Sequence, residues 1–127
     1  MSRKDATDKM DMFDDTEKIM ALIKLYDGSI NYLNKAMEYA DQGDAAKSSY
    51  YITKANDIIV ELDSAVNRKD GSDMSKNLTM LYSFMNRHLV EACVSNSMKA
   101  VDEVTRMMTE LRDSWRHVRD TFRPSAA

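Results

Sequence analysis

Val101, Val104, Met108, Leu111, Trp115 and Val118 follow one another at steps of 3, 4, 3, 4 and 3 positions. On a helix of 3.6 residues per turn that spacing gathers all six onto one narrow stripe, which a facing helix must cover. Three further segments carry apolar residues at similar spacing. The whole chain holds only three glycines and one proline in 127 residues, too few for the turns of a β protein. The sequence therefore predicts an all-α fold. Four helices of similar length with short connections favour a single-domain, antiparallel up-down-up-down four-helix bundle.

Residues 1–14 are polar, carry charges of both signs and lack periodicity, so they read as a flexible N-terminal tail. Asp14 or Asp15 is placed to cap the first helix, and Glu17 suits its positive N-terminal end. That helix is expected to run to about Asp41 and stop at Gly43, a residue that readily ends helices. Asp44 then caps a second helix, whose broad apolar face holds Ile52, Ala55, Ile58, Ile59, Leu62, Ala65 and Val66. The stretch 67–72, Asn-Arg-Lys-Asp-Gly-Ser, is the longest loop. A third helix from roughly Asp73 to Ser95 presents Met74, Leu78, Leu81, Met85, Leu89 and Ala92, and Ser95-Asn96-Ser97 turns the chain into the fourth. The bundle is expected over 15–119, with the last helix fraying after His117 and a C-terminal tail over 120–127.

Within the first helix, Tyr26-Asp27-Gly28 interrupts good helix formers, although Ile19, Leu22, Ile23, Ile30, Leu33 and Met37 continue the pattern on both sides. A glycine in a helix interior costs about 1 kcal/mol relative to alanine, so something other than helix propensity selects it. At 100° per residue the main seam centres on Tyr26, while Leu25, Tyr32, Ala36 and Tyr39 form a second apolar strip about 100° away. Gly28 projects beside that strip, where a missing side chain lets another backbone approach. Val60, Met80, Phe84 and Met107 also lie off the main seams of their helices. Bundle corners bury some residues of this kind. Together they exceed what a small closed bundle needs, and surplus apolar surface marks a partner. Leu25, Gly28, Tyr32, Tyr39, Val60, Met80, Phe84 and Met107 are therefore the candidate partner-binding residues. Eleven methionines fit either of two uses, filling core gaps or adapting to a partner.

No pattern points to catalysis, a cofactor or a metal. Neither His88 nor His117 stands three residues after a glutamate, as a di-iron bundle requires. Cys93 is the lone cysteine and has no Cys-x-x-Cys mate, which fits a reducing cytoplasm. No glycine-rich phosphate loop exists. A net charge of −3 and an isoelectric point near 5.4 give no footprint for nucleic acid. No apolar run approaches the ~20 residues of a membrane span, and the N-terminus lacks the apolar stretch of a secretory signal. A soluble, cytoplasmic, non-enzymatic protein is expected.

Four stretches then resemble one family. They are Leu25-Tyr26-Asp27-Gly28-Ser29-Ile30 with Leu33 and Ala36, and Ile52-Thr53-Lys54-Ala55-Asn56-Asp57-Ile58-Ile59-Val60-Glu61-Leu62. Next come Asn77-Leu78, Leu81-Tyr82, Phe84-Met85, Arg87, Leu89 and Ala92, and finally Glu110-Leu111-Arg112-Asp113-Ser114-Trp115. In order and spacing, over about residues 22–118, they resemble the flagellar secretion chaperone FliS family, with Tyr26, Asp27 and Gly28 as its first-helix motif. The resemblance implies an all-α bundle that binds the C-terminal segment of newly made flagellin in the cytoplasm. It also implies that the bundle prevents early polymerisation and aids delivery to the flagellar type III export apparatus, alongside contacts with other flagellar regulators. Such a segment is disordered alone and turns helical in a partner's apolar grooves. The chain departs from the family pattern at Glu17-Lys18-Ile19-Met20-Ala21, in having no tyrosine before Tyr26, and in Lys24, where the family prefers an apolar residue. Two other readings stand beside this one: a helical adaptor or regulator of a different flagellar or secretion protein, and a self-associating structural bundle.

Overall fold

The computed structural model describes the backbone of residues 2–66 and 71–122 and the side chains of 16–66 and 71–121. The chain forms four helices: α1 (Ser2–Asp41), α2 (Ala45–Ala65), α3 (Asp73–Ser95) and α4 (Met98–Phe122). Asp44 caps α2 by accepting the Lys47 N–H at 3.0 Å. Ser72 does the same for α3, accepting the Ser75 N–H at 3.1 Å. The end of α1 is a Schellman motif. Gly43 takes φ +79°, its N–H reaches the Ala40 carbonyl at 3.0 Å, and the Asp44 N–H reaches the Tyr39 carbonyl at 2.9 Å. Asn96, with φ +56°, turns the chain between α3 and α4.

Two helix ends differ from expectation. Helical backbone runs back to Ser2, so Asp14 and Asp15 fall inside α1 and do not mark its start. No glycine or proline precedes Gly28, and nothing in that stretch obliges the helix to stop. At the other end, α4 continues past His117 to Phe122. The heart of the loop expected at 67–72 and the last residues of the C-terminal tail lie outside the described residues.

The helices pack as a ring in which α1 contacts α2 and α4, and α3 contacts the same two neighbours. The first and third helices therefore face each other across the diagonal, as in an antiparallel four-helix bundle. Leu33, Ile52, Ile59, Leu62, Met85, Leu89, Val101, Val104 and Met108 fill the centre and are closed to solvent. The stripe on α4 is buried through Met108 and becomes half-buried at Leu111, Trp115 and Val118, where the bundle opens. Met74 does not join the core; it is 57% exposed because the first turn of α3 stands at that open end. Tyr82 takes a core place instead.

Gly28 faces α2, and the group that meets it is a side chain rather than backbone. A Cβ built there would lie 3.4 Å from Ile58 Cδ1, an ordinary contact. Gly28→Ala should therefore be tolerated and, by helix propensity, raise stability by about 0.5–1 kcal/mol. Gly28→Leu must displace Ile58 and should cost about 1–3 kcal/mol. Urea midpoints for the two variants check this; a destabilised alanine variant would contradict the packing described.

Candidate functional site

Tyr26, Asp27 and Gly28 point to three different neighbours. The Tyr26 ring is fully buried, and its hydroxyl hydrogen-bonds the Tyr82 hydroxyl across the diagonal. The Trp115 indole N–H donates to the same Tyr26 oxygen at 3.1 Å, tying α4 to the pair. Burial pushes the Tyr26 phenol above its ordinary value, against the opposing pull of its two hydrogen bonds. Burial raises Tyr82 as well, reinforced by Tyr26 and by the Asp63 carboxylate. Asp27 lies toward α4, where Oδ1 accepts from Arg112 Nη1 at 3.1 Å and stands 3.7 Å from Arg116 Nη2. Its carboxyl is 44% exposed, so this pairing contributes at most about 1 kcal/mol. Gly28 completes the set against Ile58 of α2.

The candidate partner-binding residues divide into two groups. Leu25 and Tyr32 are partly buried against the core, and Tyr32 and Tyr39 stack on Tyr51 with centroids 5.9 and 5.5 Å away. The strip they form with Gly28 is thus covered in good part by α2, which the α1 periodicity alone did not reveal. The second group looks outward. Val60 is 50% exposed on α2, while Met80 and Phe84 are 70% and 42% exposed on α3. Met107 is half-buried beside Leu81 and Leu111, in a depression of about 200 Å³ between α3 and α4.

Val94, 84% exposed, was missed by sequence reasoning. Its signal was present: positions 80, 84, 87, 91 and 94 step by 4, 3, 4 and 3, opposite the buried Tyr82 and Leu89. Arg87 and Glu91 interrupt the apolar run, which hides the stripe from a search for continuous apolar residues. A second depression, about 180 Å³, opens at the bundle end beside the tyrosine pair, lined by Leu22, Leu62, Val66, Met74, Leu78 and Trp115. Among the described residues no group of side chains could hold a metal ion, and no helix is long and apolar enough to cross a membrane.

Fold and surface together define a small helical bundle whose polar node is internal and whose third helix holds apolar side chains outward. Comparison with known proteins gives the family. The model of the flagellar protein FliS matches residues 2–121, and the chain belongs to that family. Its relatives include the flagellar secretion chaperone FliS of Salmonella typhimurium, 28% identical over 95 residues that make up 74% of this chain and 70% of that protein. The flagellar secretion chaperone FliS of Vibrio cholerae is 32% identical over 88 residues, 69% of this chain and 65% of its own. That of Bacillus subtilis is 29% identical over 94 residues, 74% of this chain and 69% of its own.

Two predictions follow the tyrosine node. Tyr26→Phe strips the acceptor from the Trp115 N–H and a partner from Tyr82, and should cost about 1–3 kcal/mol in urea unfolding. Tyr82→Phe leaves Tyr26 to accept from Trp115 and should cost less. The second prediction concerns alkali. Both phenols are raised above the ordinary value of 10, so their contribution is complete below that pH and is lost as the pH rises past it. The urea midpoint should fall as the pH rises past about 10, and fall less steeply in the Tyr26→Phe/Tyr82→Phe double variant.

Proposed function

We propose that this protein is a non-enzymatic, cytoplasmic export chaperone that binds the C-terminal segment of flagellin, holds back its polymerisation and aids its delivery to the flagellar type III export apparatus. The observation that carries this reading is the family match over residues 2–121, supported by relatives named flagellar secretion chaperones. A disordered client segment loses several kcal/mol on ordering and needs apolar area in return. Exposed apolar surface contributes roughly 25 cal/mol per Å² when covered. Met80, Phe84 and Val94 on α3 offer such area, with Val60 and Met107 at the flanking grooves. Their side chains are where we place the client. Leu25 and Gly28 are assigned to the packing of α1 on α2.

Co-purification tests the reading, with full-length flagellin compared with flagellin lacking its C-terminal ~40 residues, a span suited to a helix-wrapping interface. The full-length protein should be captured and the truncated one lost. Equal capture of both, or of neither, would sink the proposal and leave an adaptor for another client. Met80→Glu/Phe84→Glu should reduce capture by about tenfold or more while the helical circular dichroism stays unchanged, because neither side chain belongs to the buried core.

A further inference from the structure

The outer side of the α1–α2 pair carries an aromatic cluster, of which Tyr32 and Tyr51 also pack against the core. Tyr51 is its centre. Tyr39 lies parallel to it, with 1° between the ring planes, and Tyr32 is stacked at 29°. Tyr50 meets the same ring edge-on, at 5.1 Å and 81°, and is itself 55% exposed. Three lysines sit over these rings. Lys35 Nζ is 5.4 Å from the Tyr51 centroid, Lys47 Nζ 5.2 Å from Tyr39, and Lys54 Nζ 5.4 Å from Tyr50.

These lysines lack the ion pairs made by four arginines of α4. Arg106, Arg112, Arg116 and Arg119 each reach a carboxylate within 4 Å. Among the described residues none of Lys35, Lys47 and Lys54 does, and none of the four tyrosine hydroxyls has a protein hydrogen-bond partner. Ring faces orient the ammonium groups without neutralising them. The patch thus presents three lysines with no carboxylate within 4 Å and four phenol O–H groups around apolar rings, in a chain whose net charge is −3. Aromatic side chains of this kind give large contact area at low entropic cost.

We infer that the Tyr32/Tyr39/Tyr50/Tyr51 cluster, with Lys35, Lys47 and Lys54, is a docking face for an acidic amphipathic segment of a partner protein. Carboxylates of that segment meet the ammonium and phenol groups, and its apolar side chains lie on the exposed ring edges. A peptide fits better than nucleic acid. Glu38, Asp44 and Asp57 each lie three residues from one of these lysines (Lys35, Lys47 and Lys54), and Glu38 and Asp57 are exposed. They repel an unbroken row of phosphates but tolerate a segment with neutral residues opposite them. The face lies along the α1–α2 side of the ring, away from the α3–α4 side that bears Phe84 and Met107. It is therefore open while a client occupies α3.

The test uses the full chain and a fluorescein-labelled probe peptide of about 16 residues, long enough for a marginal helix, in which glutamate pairs alternate with leucine and phenylalanine. Controls are the same peptide with every glutamate replaced by lysine, and an oligothymidine of similar length. The acidic peptide should bind and shift the NMR ring signals of Tyr32, Tyr39, Tyr50 and Tyr51. The Lys35→Gln/Lys47→Gln/Lys54→Gln variant should bind it about tenfold or more weakly, with unchanged circular dichroism. Tyr50→Ala, at the most exposed ring, should also weaken it. No binding, equal binding of the lysine peptide, preference for the oligothymidine, or ring shifts confined to other residues would overturn the inference. The triple glutamine variant should still capture flagellin as well as the parent does; loss of that capture would show the face to be part of the client site and overturn its assignment to a second segment.

Discussion

The bundle depends on a buried hydroxyl pair. A tyrosine at the centre of a small core is a liability unless its hydroxyl is bonded, because an unpartnered buried polar group costs roughly 1–3 kcal/mol. Tyr26 avoids that cost by meeting Tyr82 across the diagonal and accepting from Trp115, so three helices are registered at one oxygen atom. Apolar packing alone would tolerate small slides of one helix along another. A hydrogen bond at 3.1 Å does not, since its strength falls off within a few tenths of an ångström. Asp27 and Gly28 extend the registration to α4 and α2 from adjacent positions on the same helix turn. Three consecutive residues thus set the depth of α1 against all three neighbours.

The fold was largely legible because helical periodicity is a one-dimensional signal. Val101, Val104 and Met108 declare their shared face by spacing alone, and Gly43 and Asp44 declare the first turn by their chemistry. The less legible features depend on what lies opposite. Tyr82 stands in the 4-3-4-3 run of Leu78, Tyr82, Met85, Leu89 and Ala92, but spacing does not show where its hydroxyl finds a partner, which is on another helix. Gly28 shows that space is needed, but only the structure shows that Ile58 is the neighbour using it. The start of α1 was misplaced for another reason: Asp14 and Asp15 resemble caps, and a capping residue is equally compatible with a helix interior when nothing nearby breaks the chain.

The candidate surfaces were legible to different degrees. Met80 and Phe84 stand out because an apolar residue opposite a helix's own seam has no core to enter. Val94 belongs to the same stripe but is separated from them by charged residues. Periodicity gives the α1 strip as a second apolar face, and α2 takes up much of it through Tyr51 and Ile58. What is most exposed there is Tyr50 with Lys35 and Lys47, a surface whose character comes from the meeting of two helices and is visible on neither sequence segment separately.

Trp115 is the single tryptophan of the chain. It donates to the oxygen on which three helices converge, and its ring lines the depression at the bundle end. Indole emission responds to hydrogen bonding and to solvent at the ring, so this one chromophore is an intrinsic optical gauge of the node. Its spectrum registers loosening of the tyrosine pair and filling of the end depression without any label being attached.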